Sequence, residues 1–158
     1  MEPPVLPALH WRWCHFDQLS VHELDAIYRA RQMVFTIEQH CAYLDADGHD
    51  PLSHHLAAWS DDRRLPLAYA RLVGPGAKYG EPSIGRVLTL PAARGAGLGR
   101  ELVRRAIRHG QDAFPGQAIR IAAQTRLESF YGSFGFHPVG DSYLEDDIPH
   151  TEMLRPFG

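Results

Sequence analysis

The sequence predicts a mixed α/β fold in which helices pack on the faces of one sheet. Two observations carry this prediction. Short runs rich in β-forming residues recur along all 158 residues, and segments with helical apolar spacing interrupt them. The hydrophobic fraction of 44% suits one packed core, and no repeat or long linker divides the chain. We therefore expect one domain over residues 1–158, with the proline-rich residues 1–8 as a loose leader.

The first half of the chain predicts a strand, a helix and then three further strands. The S-x-x-E pattern from Ser20 to Glu23 is a capping box, and apolar residues at helical spacing extend that helix over about 21–35. Residues 36–52 are polar and turn-rich, which indicates a loop or a broken short helix. In chain order, the strands of this half are expected over 9–16, 54–60, 66–73 and 83–90.

The second half predicts two helices that alternate with strands. An amphipathic helix over about 98–110 follows a glycine-rich turn, and a short helix over 125–135 ends at Gly135. The remaining strands are expected over 118–124, from 136 onward and over 150–156. The predicted order is thus β-α-β-β-β-α-β-α-β-β.

Composition and charge exclude several classes of protein. The net charge of −3 favours neither nucleic acid nor a membrane surface as a partner, and no apolar run reaches the about 18 residues of a membrane span. Cys14 and Cys41 lie far apart, which fits neither a disulfide framework nor a zinc site. The N-terminus lacks the features of a signal peptide, so we expect a reducing, cytoplasmic setting.

The acidic stretch DADGHD over 45–50 has the composition of a calcium loop but not its spacing. An EF-hand needs Gly at the sixth position and Glu at the twelfth, and counting from Asp45 these positions hold Asp50 and Leu56. The two adjacent histidines of the next strand point to opposite faces, so they cannot bind one metal together. We expect no metal site.

The turn before the second predicted helix is the most informative segment. Its residues are Arg94, Gly95, Ala96, Gly97, Leu98, Gly99 and Arg100. A strand-to-helix turn leaves backbone N–H groups unpaired at the positive end of the helix dipole, and glycine lets an anion approach them closely. The flanking arginines can add charge-assisted hydrogen bonds. Neither P-loop nor dinucleotide-binding spacing is present, so these residues leave open another phosphate ligand or a turn without a ligand.

Beyond this turn, the chain resembles the GNAT acetyltransferase family. The segment RGAGLG over 94–99 matches the family's R/Q-x-x-G-x-G/A pattern, and LESFYGSFGF over 127–136 matches its later helix-turn-strand segment. More narrowly, VFTIEQHCAYLDADGHD, IGRVLTL, AAQTRLESFYGSFGF and EDDIPHTEM resemble the ElaA-type members, in order from residue 34 onward. The resemblance implies the GNAT acyl-CoA N-acyltransferase fold, with acetyl-CoA as co-substrate.

The resemblance also implies roles for individual residues. The turn over 94–100 is expected to bind the pyrophosphate of coenzyme A, and the backbone of Leu88 and Thr89 to pair with the pantetheine arm. A backbone N–H near Leu88 would polarise the thioester oxygen. Tyr131 matches the family's catalytic tyrosine and is expected to protonate the leaving thiolate. The alternative for Tyr131 is an aromatic packing residue.

The general base is less well defined, because many relatives carry a glutamate on the strand that matches SIGRVLTL and this chain has none there. Glu145 is the first candidate, and the alternatives are Asp146, His150, Glu38 and His54, or a base that acts through water. The expected acceptor-site residues are Glu38, Gln39, His54, Asp146 and His150. Related sequences read EDGIPH, whereas Asp147 replaces the glycine here, and aspartate tolerates a positive φ better than most residues.

We therefore expect an acetyl-CoA-dependent N-acetyltransferase in which an acceptor amine attacks the thioester directly. The acceptor is expected to be an amine of a small molecule, a peptide or a protein, and the donor can carry acetyl or a longer acyl group. The missing strand carboxylate supports one alternative, a non-catalytic acyl-CoA-binding sensor or interaction module. The sequence leaves a monomer and a homodimer both open.

Overall fold

The computed structural model describes residues 2–158 as one eight-stranded sheet with three α-helices. The strands are β1 (His10–His15), β2 (Ser53–Trp59), β3 (Ala68–Val73), β4 (Ser83–Thr89), β5 (Ile119–Gln124), β6 (His137–Pro138), β7 (Tyr143–Glu145) and β8 (Ile148–Arg155). The helices are α1 (Val21–Arg31), α2 (Leu98–Ala113) and α3 (Glu128–Gly132). The mixed α/β class is as predicted. The sequence missed only β7 among these strands.

The sheet has the order β1-β2-β3-β4-β5-β8-β6, and β7 pairs with β8. All neighbouring strands are antiparallel except β4 and β5, which run parallel. These two strands share one paired position, Ser83 opposite Arg120, at the start of β4. Because the pairing does not continue toward Thr89, a cleft opens between the carboxyl-terminal halves of the two strands.

Helices cover both faces of the sheet. On one face, Ile27 and Ala30 of α1 belong to a buried cluster with Trp59, Tyr69 and Leu88. On the other face, α2 contributes Leu98, Leu102, Val103, Ala106 and Ile107 to a larger cluster that includes β2, β3, β4 and β5. Each fully buried large apolar side chain contributes about 1.5–3 kcal/mol. β4 is thereby packed on both sides, whereas the residues of β5 in these clusters belong to the one on the α2 side.

The capping box predicted at the start of α1 is present. The Ser20 hydroxyl accepts a hydrogen bond from the Glu23 N–H at 3.0 Å, and the Glu23 carboxylate accepts one from the Ser20 N–H at 2.9 Å. Two boundaries differ from prediction. The helix does not end at residue 35 but continues as a π-helix over Gln32–Glu38. The helix predicted over 125–135 is a 3-10 turn over Thr125–Leu127 followed by the shorter α3.

None of the helices within residues 2–158 combines the length and the apolar character that a membrane crossing needs.

Candidate active site between β4 and β5

A cavity of about 670 Å³ occupies the cleft between the two parallel strands. All of β4 forms one wall, and residues 121–124 of β5 form the other. Phe130 and Tyr131 of α3 close one side, and residues from the loop after α1 close the opposite side. A volume of several hundred Å³ with both polar and apolar lining is typical of a site for a cofactor-sized molecule.

A β-bulge interrupts β4 where it lines the cavity. Tyr69 of β3 lies opposite Leu88, but Arg71 lies opposite Gly85, so Ala70 faces two residues of β4 instead of one. Arg86 adopts a φ of 50°, a left-handed conformation that is uncommon for a side chain of this size. A bulge leaves backbone groups outside the regular ladder. Backbone groups of β4 are therefore left to interact with a ligand in the cleft.

Two aspartates and a tyrosine hold the Arg86 side chain in place. Its Nε lies 2.9 Å from Asp45 Oδ1, and its Nη2 lies 3.3 Å from Asp47 Oδ2. Nη2 also donates to the Asp45 carbonyl at 3.1 Å, and the guanidinium lies 5.0 Å from the ring centroid of Tyr43. These contacts tie the bulge to the acidic loop that follows the π-helix.

The same acidic loop is anchored by two further, fully buried arginines. Arg31 donates to Asp50 at 2.7 Å and to Asp45 at 2.9 Å, and Arg71 makes a two-pronged contact with Asp47 at 2.8 and 3.0 Å. Burial alone would raise the Asp50 pKa, but hydrogen bonds and charge from Arg31 and Arg71 outweigh it and lower that pKa. The DADGHD stretch is thus a docking element for three arginines.

The sequence did not identify this network. The sequence offers one local signal. Each of the apolar strands YARLV and IGRVLTL contains an arginine, and the acidic loop before them lacks the spacing of a metal site. A charge on a buried strand needs a partner, and that requirement could have linked these arginines with the aspartates.

The glycine-rich turn has the backbone conformation that its sequence requires. Gly95 has a φ of 93° and Gly97 a φ of 78°, and Gly97 is the N-cap residue of α2. Gly99 lies in the first turn of α2, lines the cavity, and a Cβ added there would meet nothing within 4 Å. The open space over Gly99 suits an anion that approaches the N-terminal N–H groups of α2.

The two arginines of the turn differ in their surroundings. Arg100 donates to the Ser133 hydroxyl at 3.2 Å and lies 4.8 Å from the ring centroid of Phe134; no carboxylate within residues 2–158 forms an ion pair with it. Arg94 donates to both oxygens of Glu38 at 2.7 Å and also to the Thr89 carbonyl. The structure thus places Glu38 against the turn, and Arg94 already has protein partners.

Tyr131 lies on the side of the cleft that α3 closes. It is 8% exposed, lines the cavity, and packs edge-on against Phe130 with ring centroids 5.1 Å apart. Burial raises the pKa of Tyr131 to about 12, so its hydroxyl stays protonated at neutral pH. Within residues 2–158 this hydroxyl has no hydrogen-bond partner, which leaves it available to a bound molecule.

The β7–β8 hairpin brings three predicted residues to the rim. Glu145, Asp146 and His150 all line the cavity. His150 Nδ1 lies 2.7 Å from the Ile148 carbonyl, which can only accept, so Nε2 is the nitrogen free to take a proton. Glu145 Oε2 lies 3.5 Å from that Nε2.

The hairpin turn explains the aspartate that replaces glycine. Asp146 and Asp147 have φ values of 49° and 61°, the two successive positive values of a type I′ turn. Aspartate is among the few residues other than glycine that adopt this conformation readily. The loop therefore keeps its shape without the glycine.

The remaining predicted residues separate into two groups. Leu88, Thr89 and Gln39 line the cavity, and Gln39 accepts a hydrogen bond from Gln124 across it at 3.3 Å. His54 is not among the cavity-lining residues; its ring stacks on Trp13 at 4.9 Å, on the side of the sheet that α2 covers. We therefore do not place His54 in the acceptor site. The sequence could not show this, because His54 and His55 point to opposite faces of the strand and no local pattern says which of them faces the cleft.

Two other features bear on the chemistry of the cleft. Cys41 lines it, but burial and the nearby Asp146 and Glu145 charges raise the pKa of its thiol, which opposes a reactive thiolate. Within residues 2–158 no group of three or more histidine, cysteine, aspartate or glutamate side chains is arranged to hold a metal ion.

Comparison with known proteins identifies this architecture. Residues 30–155 match the model of the acetyltransferase (GNAT) domain. A UPF0039 protein from Synechocystis is 43% identical over 92% of this chain and 94% of its own length. Protein ElaA from Escherichia coli is 36% identical over 93% of this chain and 96% of its own, and its crystal structure superposes with a TM-score of 0.87.

A solved structure from Pseudomonas aeruginosa, described as an acyl-CoA N-acyltransferase, is 41% identical and superposes with a TM-score of 0.89 over 94% of this chain and 99% of its own. These matches cover nearly the whole chain and include every part of the cleft. The chain therefore belongs to the GNAT acetyltransferase family, with the fold of an acyl-CoA N-acyltransferase, and is a homologue of ElaA.

Proposed function

We propose that this protein transfers an acetyl group from acetyl-CoA to an acceptor amine by direct attack. The observation that carries the proposal is one continuous cleft that joins the glycine-rich turn, the β4 bulge and Tyr131. A thioester whose pyrophosphate lies on the turn has its pantetheine arm along β4. Its reacting carbonyl then lies between the bulge and the tyrosine.

The pyrophosphate end of the donor fits the turn by charge and by shape. The N-terminal N–H groups of α2 supply partial positive charge, and Arg100 adds a full one. The space above Gly99 admits phosphate oxygens that a Cβ would exclude. Arg94 supports this site indirectly, by holding the turn against Thr89 and Glu38.

At the reacting centre, each step of the transfer has a candidate group. The amine nitrogen attacks the thioester carbonyl carbon, and a backbone N–H of the bulge near Leu88 stabilises the oxyanion that forms. The carbon–sulfur bond then breaks, and the Tyr131 hydroxyl donates its proton to the departing thiolate. A free thiol has a pKa of about 8.5, well below that of Tyr131, so the transfer is completed by the proton that the amine releases, which returns to the tyrosinate.

The acceptor amine must lose protons during the reaction, because alkyl amines are largely protonated at neutral pH. The Glu145–His150 pair at the rim is our candidate for this role, with His150 Nε2 receiving the proton and Glu145 stabilising the imidazolium. Gln39 and Asp146 line the same side and are proposed to contact the acceptor.

Acetyl-CoA titration by calorimetry, followed by a thiol-release assay across a panel of amines and peptides, tests the proposal. We expect binding and, with at least one acceptor, release of coenzyme A. Binding without release across the panel would favour the non-catalytic acyl-CoA sensor, which the absence of a carboxylate on β4 supports. Absence of acetyl-CoA binding would overturn both functions. The same titration with longer acyl-CoA thioesters tests the choice of acetyl.

A further inference from the structure

Lys78 is the only lysine in the chain, and it lies at the cleft. It belongs to the loop between β3 and β4, and its side chain is exposed to solvent at the rim. The same cavity is lined by the bulge residues Arg86 and Val87 and by Tyr131. The single lysine amine of this protein therefore faces the same cavity in which a thioester is proposed to react.

The surroundings of Lys78 leave its amine available. No carboxylate within residues 2–158 forms an ion pair with its Nζ, which lies 5.8 Å from the ring centroid of Tyr79. Although the side chain reaches solvent, desolvation by the groups around it, followed by the positive charges of Arg71 and Arg86, lowers the pKa of Lys78, whereas Glu145 and Asp47 oppose that shift. A lower pKa increases the fraction of neutral amine, which is the form that attacks a thioester.

The loop that carries Lys78 is rich in glycine and loosely packed at Gly76 and Gly80. It reads GPGAKYGEP, with glycines on both sides of the lysine, and Gly76 has a φ of 86°. Added Cβ atoms at Gly76 and Gly80 would meet nothing within 4 Å, so neither glycine is packed against the body of the protein. Small movements of this loop would carry the lysine amine along the cleft.

We propose that Lys78 is a site of self-acetylation, in which acetyl-CoA bound in the cleft of one molecule acetylates the lysine of that same molecule. This inference rests on the proposed function, since it needs acetyl-CoA in the cleft. Nζ forms a bond to the thioester carbonyl carbon, and the carbon–sulfur bond breaks. The thiolate takes the Tyr131 proton, the surplus proton of Nζ returns to the tyrosinate through the rim base or water, and the products are acetyl-lysine and coenzyme A.

Acetylation would change the acceptor side of the cleft. The product amide carries no charge, so the rim would keep its Glu145 and Asp146 carboxylates without the opposing lysine cation. The added acetyl group also narrows the entrance. Acetylated Lys78 would thus accumulate when acetyl-CoA is present and an external acceptor is absent.

The experiment uses the full chain with acetyl-CoA and no added acceptor. Intact mass spectrometry measures acetyl groups per chain over time, and peptide mapping locates them. We expect one acetyl group, on Lys78, with a rate constant that does not change when the protein concentration is varied about tenfold, as for transfer within one molecule. Lys78→Arg, which keeps the charge, is the matched control and should remain unmodified at this position. The urea-unfolded chain gives the uncatalysed rate.

The outcomes separate this inference from the proposed function. If acetyl-CoA binds and external amines are acetylated while Lys78 is not, the self-acetylation proposal alone is wrong. Modification no faster than in the unfolded chain, or a rate constant that rises with protein concentration, would also overturn it. If calorimetry shows no binding of acetyl-CoA, the proposed function fails first and self-acetylation fails with it.

Discussion

The Glu38 carboxylate accepts two hydrogen bonds of 2.7 Å from the guanidinium of Arg94, one to each oxygen. Arg94 also donates to the Thr89 carbonyl at 2.9 and 3.2 Å. One side chain thus joins the end of the π-helix, the end of β4 and the start of the glycine-rich turn. We therefore expect Arg94 to organise the turn, and phosphate binding to be left to the backbone and to Arg100.

Glu38→Gln should weaken acetyl-CoA binding by about 3- to 10-fold while changing the free energy of unfolding by less than about 1 kcal/mol, because the ion pair is partly exposed. Loss of the two-pronged contact loosens the turn without removing any phosphate contact. Calorimetry with acetyl-CoA and urea unfolding measure the two effects. Asp25→Asn removes an exposed pair with Arg29 on the preceding helix and should change neither.

Arg94→Ala distinguishes the organising role from direct binding of phosphate. If Arg94 acts through the turn, the variant should lose about as much affinity as Glu38→Gln. A loss of a hundredfold or more for Arg94→Ala, with Glu38→Gln unaffected, would mean that the guanidinium leaves Glu38 and binds the pyrophosphate itself.

Two alanine substitutions in the turn should have opposite effects on stability. Gly99→Ala replaces a glycine with ordinary helical φ, and its Cβ meets nothing in the free protein, so stability should rise by up to about 1 kcal/mol. The same Cβ occupies the proposed phosphate position, so acetyl-CoA affinity should fall. Gly97→Ala must adopt a φ of 78° and should lose about 1–2 kcal/mol. Thermal unfolding and calorimetry together test both; unchanged affinity of Gly99→Ala would place the pyrophosphate elsewhere.

Tyr131→Phe should leave the dissociation constant of acetyl-CoA nearly unchanged and reduce kcat by about 10²–10⁴-fold. The substitution removes a hydroxyl with no protein partner and keeps the ring packing against Phe130, so the fold is preserved. Because the pKa of Tyr131 is raised to about 12, the wild type should not lose activity through this group between neutral pH and pH 9. Single-turnover kinetics measure the effect. An unchanged kcat would return Tyr131 to the packing role.

The sequence predicts features that depend on neighbouring residues, and it does not predict features that depend on contacts between distant segments. Ser20 and Gly97 have their structural roles in local patterns, so the start of α1 and the turn before α2 were predicted correctly. The extension of α1 to Glu38 was not, because π-helical i→i−5 bonds shift the apolar residues away from the 3.6-residue spacing by which an α-helix is recognised. Arg86 pairs with Asp45, about forty positions away, and its left-handed φ depends on that tertiary contact. No local pattern encodes either feature.

Asp50→Asn should destabilise the protein by about 3–5 kcal/mol at neutral pH, because it leaves the buried guanidiniums of Arg31 and Arg71 with one fewer counter-charge. Urea unfolding provides the measurement, with the exposed Asp61→Asn as the control. A loss below about 1 kcal/mol would mean that Asp45 and Asp47 satisfy both arginines without Asp50.

The stability difference between the wild type and Asp50→Asn should depend on pH, because folding lowers the pKa of Asp50. The Asp50 pKa is lower in the folded state, so its stabilising effect is fully present above the unfolded pKa of about 3.9 and is lost as pH falls through the folded value. The difference in free energy of unfolding between the wild type and Asp50→Asn should therefore be constant from neutral pH to about pH 5 and decrease toward zero at lower pH. His55, whose pKa is lowered to about 4 by burial, adds an acid sensitivity that both proteins share.

Arg86 is expected to position the β4 bulge rather than to contact the substrates. Arg86→Gly removes the ion pairs to Asp45 and Asp47 but accepts the positive φ, whereas Arg86→Ala loses the same ion pairs and must also adopt that φ. Arg86→Ala should therefore be less stable than Arg86→Gly by about 1–2 kcal/mol. Urea unfolding of the pair isolates the backbone contribution, since the side-chain contacts are absent from both.

The same two variants test whether the bulge stabilises the oxyanion. Removal of one oxyanion donor typically costs about 10²–10³ in kcat, so a donor that is loosened but present should cost about 10- to 100-fold. Acetyl-CoA affinity should change little, because the glycine-rich turn is untouched. Arg86→Lys keeps the charge without the planar fork and should recover part of kcat. If Arg86→Gly instead turns over at the wild-type rate, the bulge keeps its catalytic geometry without these ion pairs, and the arginine serves only to dock the acidic loop.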